Sequence, residues 1–178
     1  MRSLLVFLGF QGGWWACALG AGRGAPWLGP LVMGAFLLGA LVTRSPRVSA
    51  GRFALLILAA AAVGAASDAL LVRAGALRFL SAGWPVPLWM IALWAGFAAT
   101  LEPSLGWLLR RPLLALPVGA LCGPLSYHAG ARLGALTVVA PLTRSLSLIA
   151  LEWALALPVL VGLARAAQQA ASSNSQEP

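Results

Sequence analysis

The chain has 178 residues, 61% of them apolar and only 9% charged. A soluble domain carries about a quarter charged residues, so this composition excludes a chain that covers itself with a hydrated surface and points to lipid as its solvent. The formal charge of +8 comes from arginine alone. These arginines fall singly or in pairs between apolar runs, as membrane-flanking charges do, which argues against nucleic acid as a partner.

A helix needs about 20 apolar residues to span the hydrocarbon core. Six stretches meet or approach that length: Ser3–Ala21, Pro26–Thr43, Phe53–Val72, Trp84–Leu101, Pro112–Ala131 and Ser145–Ala164. The expected fold is therefore all-α, a polytopic bundle of six transmembrane helices forming one domain over residues 1–167. The first stretch has signal-peptide features, with Arg2 ahead of an apolar run. Gln11, Gly12, Gly13, Trp14 and Trp15 interrupt that run, so it is read as a retained helix. Residues 168–178 are polar and small, and are expected to form a disordered tail.

Arginine counts set the orientation. With the N-terminus inside, the cytoplasmic side holds seven (Arg2, Arg44, Arg47, Arg52, Arg110, Arg111, Arg165) and the other side five (Arg23, Arg73, Arg78, Arg132, Arg144). Both termini are thus expected to be cytoplasmic. Every loop is short, so any function lies in the membrane or at its faces. Gly29-Pro30-Leu31 recurs as Gly123-Pro124-Leu125. A three-plus-three inverted repeat would pair those helices, although a tripeptide of common residues also recurs by chance.

Ionisable groups within membrane helices are costly and tend to be functional. Asp68 and His128 each lie ~24 Å from the cytoplasmic edge, and Glu152 ~12 Å below the opposite edge, at 1.5 Å per helical residue. All three fall in one half of the bilayer. Arg132 shares a helical face with His128, Tyr127 is adjacent, and Arg73 and Arg78 flank the end of the third helix. Gln11 and Trp14 fall near the middle of the first. Asp68, His128, Glu152, Arg132, Arg73, Arg78, Tyr127, Gln11 and Trp14 are the candidate polar cluster, with His128 as the natural proton carrier. The competing reading is structural: Asp68 pairs with an arginine to hold helices together, and the arginines snorkel to headgroups. Glu102, near Arg110 and Arg111, reads as a surface ion pair.

Small residues recur at four-residue spacing: Gly9, Gly13, Cys17 and Ala21; Ala60 and Gly64 leading to Asp68; Gly119 and Gly123. Such stripes let helices approach closely, and the second places Asp68 on a packed face. Trp27, Trp84 and Trp107 suit interfacial belts. Trp89, Trp94 and Trp153 lie deeper and suit a cavity wall or core packing. The two cysteines form no CxxC or Cys/His cluster, so no metal site is expected. No cofactor fingerprint or catalytic motif occurs, and no catalytic residue can be assigned.

Several of these elements together resemble a known family. They are Phe10-Gln11-Gly12-Gly13-Trp14-Trp15-Ala16-Cys17, Pro26-Trp27-Leu28-Gly29-Pro30, Ser67-Asp68, Trp84-Pro85-x-Pro87-x-Trp89-Met90 and Gly123-Pro124-Leu125-Ser126-Tyr127. The chain resembles the uncharacterised bacterial inner-membrane proteins grouped as domain of unknown function 2878. The resemblance implies an inner-membrane location and carries no residue roles. Genes of that family often neighbour cyclopropane-fatty-acid-synthase-like and flavin-oxidoreductase-like genes, which implies a link to membrane-lipid modification. Three functions remain open: an accessory protein or enzyme of lipid or envelope metabolism, a small proton-coupled transporter, and an assembly partner of another membrane protein. The partners expected are the lipid bilayer and another membrane protein or lipid-modifying enzyme.

Overall fold

The structure is a computed structural model that describes residues 1–45, 48–81 and 85–173. Its long helices are α1 (Arg2–Gly22), α2 (Leu28–Val42), α3 (Ala50–Arg73), α4 (Leu88–Thr100), α6 (Ala115–Arg132) and α7 (Leu142–Ser173). A short α5 (Gly106–Arg110) lies between α4 and α6. Two three-residue strands, β1 (Leu77–Phe79) and β2 (Leu136–Val138), pair antiparallel. α1, α3 and the Leu142–Gln169 part of α7 are long and apolar enough to cross a membrane. α2 and α4 are apolar but shorter, and the apolar run of α6, a continuous helix, is broken by Ser126-Tyr127-His128. Among the described residues six of the seven α-helices lie at the expected stretches, but only three of them satisfy the length and hydropathy demanded of a span, where all six were expected to.

Helix ends follow local chemistry. Ser49 caps α3 by accepting from the Arg52 amide. Pro85 and Pro87 lack donors, so α4 begins only at Leu88; Trp84, the expected start, lies outside the described residues. α7 continues through Ser173, into the segment expected to be a disordered tail. Its Ala- and Gln-rich composition up to Gln169 favours helix once a turn has formed. Residues 174–178 and Arg47 lie outside the described residues.

The helices pack as hairpins, α1 with α2, α3 with α4 and α6 with α7, and α4 also touches α1 and α2. The small-residue stripes are the contact lines. Gly13 lies under Met33, Gly9 under Phe36, and Gly29 against Cys17. Glu102 pairs at 3.0 Å with Arg2, not with Arg110 or Arg111. The N-terminus and the end of α4 come together, and Arg2 reaches the carboxylate first.

The tripeptide recurrence does not reflect an architectural repeat. Gly29 and Gly123 pack against unrelated partners, Cys17 and Trp153. A different repeat is present, with a spacing of 59 residues. It matches Gly64 to Gly123, Ser67 to Ser126, Arg73 to Arg132, Gly75 to Gly134, Ala76 to Ala135, Leu77 to Leu136 and Trp94 to Trp153. The matched turns have one geometry. Gly75 and Gly134 both take positive φ, 67° and 79°. The next amides, of Ala76 and Ala135, bond back to Leu71 and Gly130, closing each helix as a Schellman-type turn closes it.

The halves α3–β1–α4 and α6–β2–α7 are related by a local two-fold axis, because matched residues meet each other. Arg78 pairs with Thr137 in the sheet. The Trp94 and Trp153 rings stack with centroids 4.6 Å apart and an interplanar angle of 21°. Tyr127 bonds to Asp68, its counterpart. Both halves run the same way, since α3 and α6 each lead into the sheet. The relation is that of parallel repeats with an axis along the helices.

The polar cluster and an aromatic slot beside it

The Gly64 stripe turns Asp68 into the interior, where it is fully buried. Its Oδ2 accepts from the Trp94 indole N–H at 2.8 Å, and its Oδ1 accepts from the Tyr127 hydroxyl. The indole is placed by Gly64, where a Cβ would overlap the Trp94 ring. Gly123 gives Trp153 the same room in the second half. Trp153 then stacks on Trp94 and meets Tyr127 edge-on, with centroids 6.5 Å apart. Residues of four helices converge on the two-fold axis here.

Glu152 adjoins this cluster from α7. Both carboxyl oxygens and the neighbouring Trp153 indole N–H are buried without a partner at hydrogen-bonding geometry; the Ser67 hydroxyl beside Glu152 donates to the Gly64 carbonyl instead. Ser67 and Asp68 face the Glu152 carboxyl across the seam where α3 packs on α7. A buried acid without a cation partner is costly, and packing alone gives no reason for it.

The two-fold relation breaks at this level. Asp68 stands opposite Tyr127, and Glu152 occupies the position of Leu93. The seams differ too. α3 and α7 pack closely, whereas α4 and α6 are held apart by a cavity of about 330 Å³. That volume is in the range of small-molecule sites. Trp89, Trp94, Phe97, Trp153 and Tyr127 line it, and Phe10, Gln11 and Trp14 of α1 close it. It reaches from Val118 to Gly130 along α6, a slot ~18 Å long at 1.5 Å per residue. Its walls are apolar except at Gln11, Ser126 and Tyr127.

The sequence candidates therefore divide. Asp68, Tyr127 and Glu152 come together in the interior. Gln11 and Trp14 line the slot beside them. His128, Arg132, Arg73 and Arg78 are exposed and stand outside the cluster. His128 follows Tyr127 by one residue, a rotation of about 100°, so turning Tyr127 inward turns His128 out. Arg132 shares that outward face, as the four-residue spacing predicts. Asp68 takes an indole and a phenol as partners where an arginine was expected, because the guanidiniums sit at the helix ends. Sequence reasoning placed Trp94 and Trp153 at a cavity or in the core but missed Trp94 as a donor to Asp68. The signal was the 59-residue spacing between the two tryptophans. Among the described residues no three His, Cys, Asp or Glu side chains gather. What the cluster offers chemically is two carboxyls, a phenol, a hydroxyl and two indoles.

The family model described as Protein of unknown function (DUF2878) matches residues 3–159. The chain belongs to this family. The match takes in both repeats up to Val159 and the whole polar cluster. Nothing among curated proteins or solved structures matches the chain.

Proposed function

We propose that this is a six-helix, multi-pass protein of a bacterial inner membrane, with cytoplasmic termini, that serves membrane-lipid or envelope metabolism by holding a lipid-phase molecule in the α4/α6 slot beside the polar cluster. The observation that carries this reading is the slot itself: elongated, aromatic, and walled in part by Trp94, Tyr127 and Trp153 of the polar cluster. Apolar walls with a few convergent polar groups are the usual make-up of a ligand site. The arginine count supports the orientation, and the gene neighbourhood of the family supports the lipid assignment.

The test is lipid analysis of a deletion strain complemented with wild type or with Glu152→Gln. A changed lipid profile that wild type restores and Glu152→Gln does not is the expected result. An unchanged profile in the deletion strain overturns the lipid assignment.

A second reading has its own observation. Both oxygens of Asp68 are satisfied by residues of the two repeats, which is how a clasp between helices is built. A chain that serves only as an assembly partner would copurify with a stoichiometric membrane protein and tolerate filling of the slot.

A further inference from the structure

The slot has a direction, and its two ends differ. At the level of the sheet it ends on Ala18, Gly130 and Leu136. Just beyond those residues the end of α1 meets the turn that follows α6: Gly22 packs on the backbone of Leu133 and Gly134. That contact brings the backbones of Arg23 and Arg132, the adjoining residues, close together just past this end of the slot. Both are exposed, and neither is held by a carboxylate, because the one ion pair among the described residues is Arg2–Glu102 at the other end. Arg73 and Arg78 are exposed on the same face. Asp68 and Glu152 lie deeper, so the mouth is positive with no acid to neutralise it. On its side the slot is flanked by Trp15, 49% exposed, and Cys122, exposed too. Both lie mid-helix, at hydrocarbon depth.

We propose that the slot takes an anionic phospholipid, which enters sideways between α1 and α6, lays one acyl chain along the slot and sets its phosphate on Arg23 and Arg132. The inference rests on the reading of the slot as a lipid-phase ligand site, and it adds the headgroup class and the route. A narrow channel ~18 Å long suits a chain better than a compact solute. Guanidiniums at the headgroup level recognise phosphate by paired N–H donors, and each favours anionic lipid electrostatically. Snorkelling alone explains an arginine at a helix end. It does not explain why two unpaired arginines are brought together just past the end of a cavity whose side is flanked by exposed Trp15 and Cys122.

The experiment uses the full chain in detergent, titrated with palmitoyl-oleoyl-phosphatidylglycerol or with the phosphatidylcholine of the same chains. Bound lipid is read by native mass spectrometry, and Cys122 by its rate of reaction with a bulky maleimide. Phosphatidylglycerol is expected to bind more tightly and to slow Cys122 labelling. In the Arg23→Gln/Arg132→Gln variant the preference for phosphatidylglycerol should fall by about tenfold or more, with phosphatidylcholine binding unchanged. Ser126→Phe, which narrows the slot, should weaken both lipids. Equal binding of the two lipids by wild type, with Cys122 protected by each, overturns the headgroup assignment and leaves the slot reading standing. Unaltered Cys122 labelling at saturating lipid overturns both. The Cys122 readout on the unmodified chain keeps the outcome decisive even if a variant misfolds.

Discussion

Asp68 and Glu152 are both buried acids of the interior, yet their surroundings assign them opposite roles. Asp68 has a donor for each oxygen, so its replacement strands partners. Asp68→Ala leaves the Trp94 N–H and the Tyr127 hydroxyl without an acceptor, at about 1–3 kcal/mol for each buried orphan. The expected outcome is a clear loss of stability, measured as a lowered unfolding midpoint in detergent. A midpoint within error of wild type would remove the clasp. Glu152 makes no bond that stabilises the fold, and its counterpart in the first half is Leu93. Glu152→Leu should therefore fold at least as stably as wild type, since replacing an unpaired buried acid with an apolar side chain removes a desolvation cost. The same variant should fail to complement the deletion strain. Destabilisation by Glu152→Leu would show that the carboxyl is structural.

At the scale of elements, the helices meet along glycines, and the two halves of the repeat test each other. Gly64→Val and Gly123→Val each drive a side chain into an indole. Overpacking of this kind costs about 1–3 kcal/mol, and the two variants should lower the unfolding midpoint by similar amounts. Gly12→Ala and Gly34→Ala meet open space and should be neutral or stabilising by up to about 1 kcal/mol. If all four behave alike, the stripe contacts are not what holds the hairpins. The stripes were legible in the sequence because their four-residue spacing is a local property of one helix. Which glycine lies under which tryptophan was not, because Gly64 and Trp94 sit on different helices.

For the molecule as a whole, labelling distinguishes the faces. Cys17 is packed against Gly29 and fully buried, whereas Cys122 is exposed on the surface of α6. A membrane-permeant maleimide should modify Cys122 and spare Cys17 in intact vesicles, checked by mass spectrometry of the labelled peptide. Modification of Cys17 at a comparable rate would mean that the α1/α2 hairpin opens.

The sequence by itself determined that the chain is strongly apolar, that it is all-helical, and roughly where its long helices lie. Each of these follows from composition and from a rise of 1.5 Å per residue. It also carried Asp68 onto a packed face, through Gly64 one turn away. Only the tertiary structure decided the rest. Tyr127 and His128 are neighbours in sequence, and rotation about the helix axis sends one to Asp68 and the other outward. The repeat was written in the sequence at a 59-residue spacing, but few matched positions are identical, and it became visible only where matched residues touch. The slot could not be read from any one segment. It exists because the α3/α7 seam closes while its counterpart between α4 and α6 stays open, and that difference is made by side chains from both halves meeting on one axis.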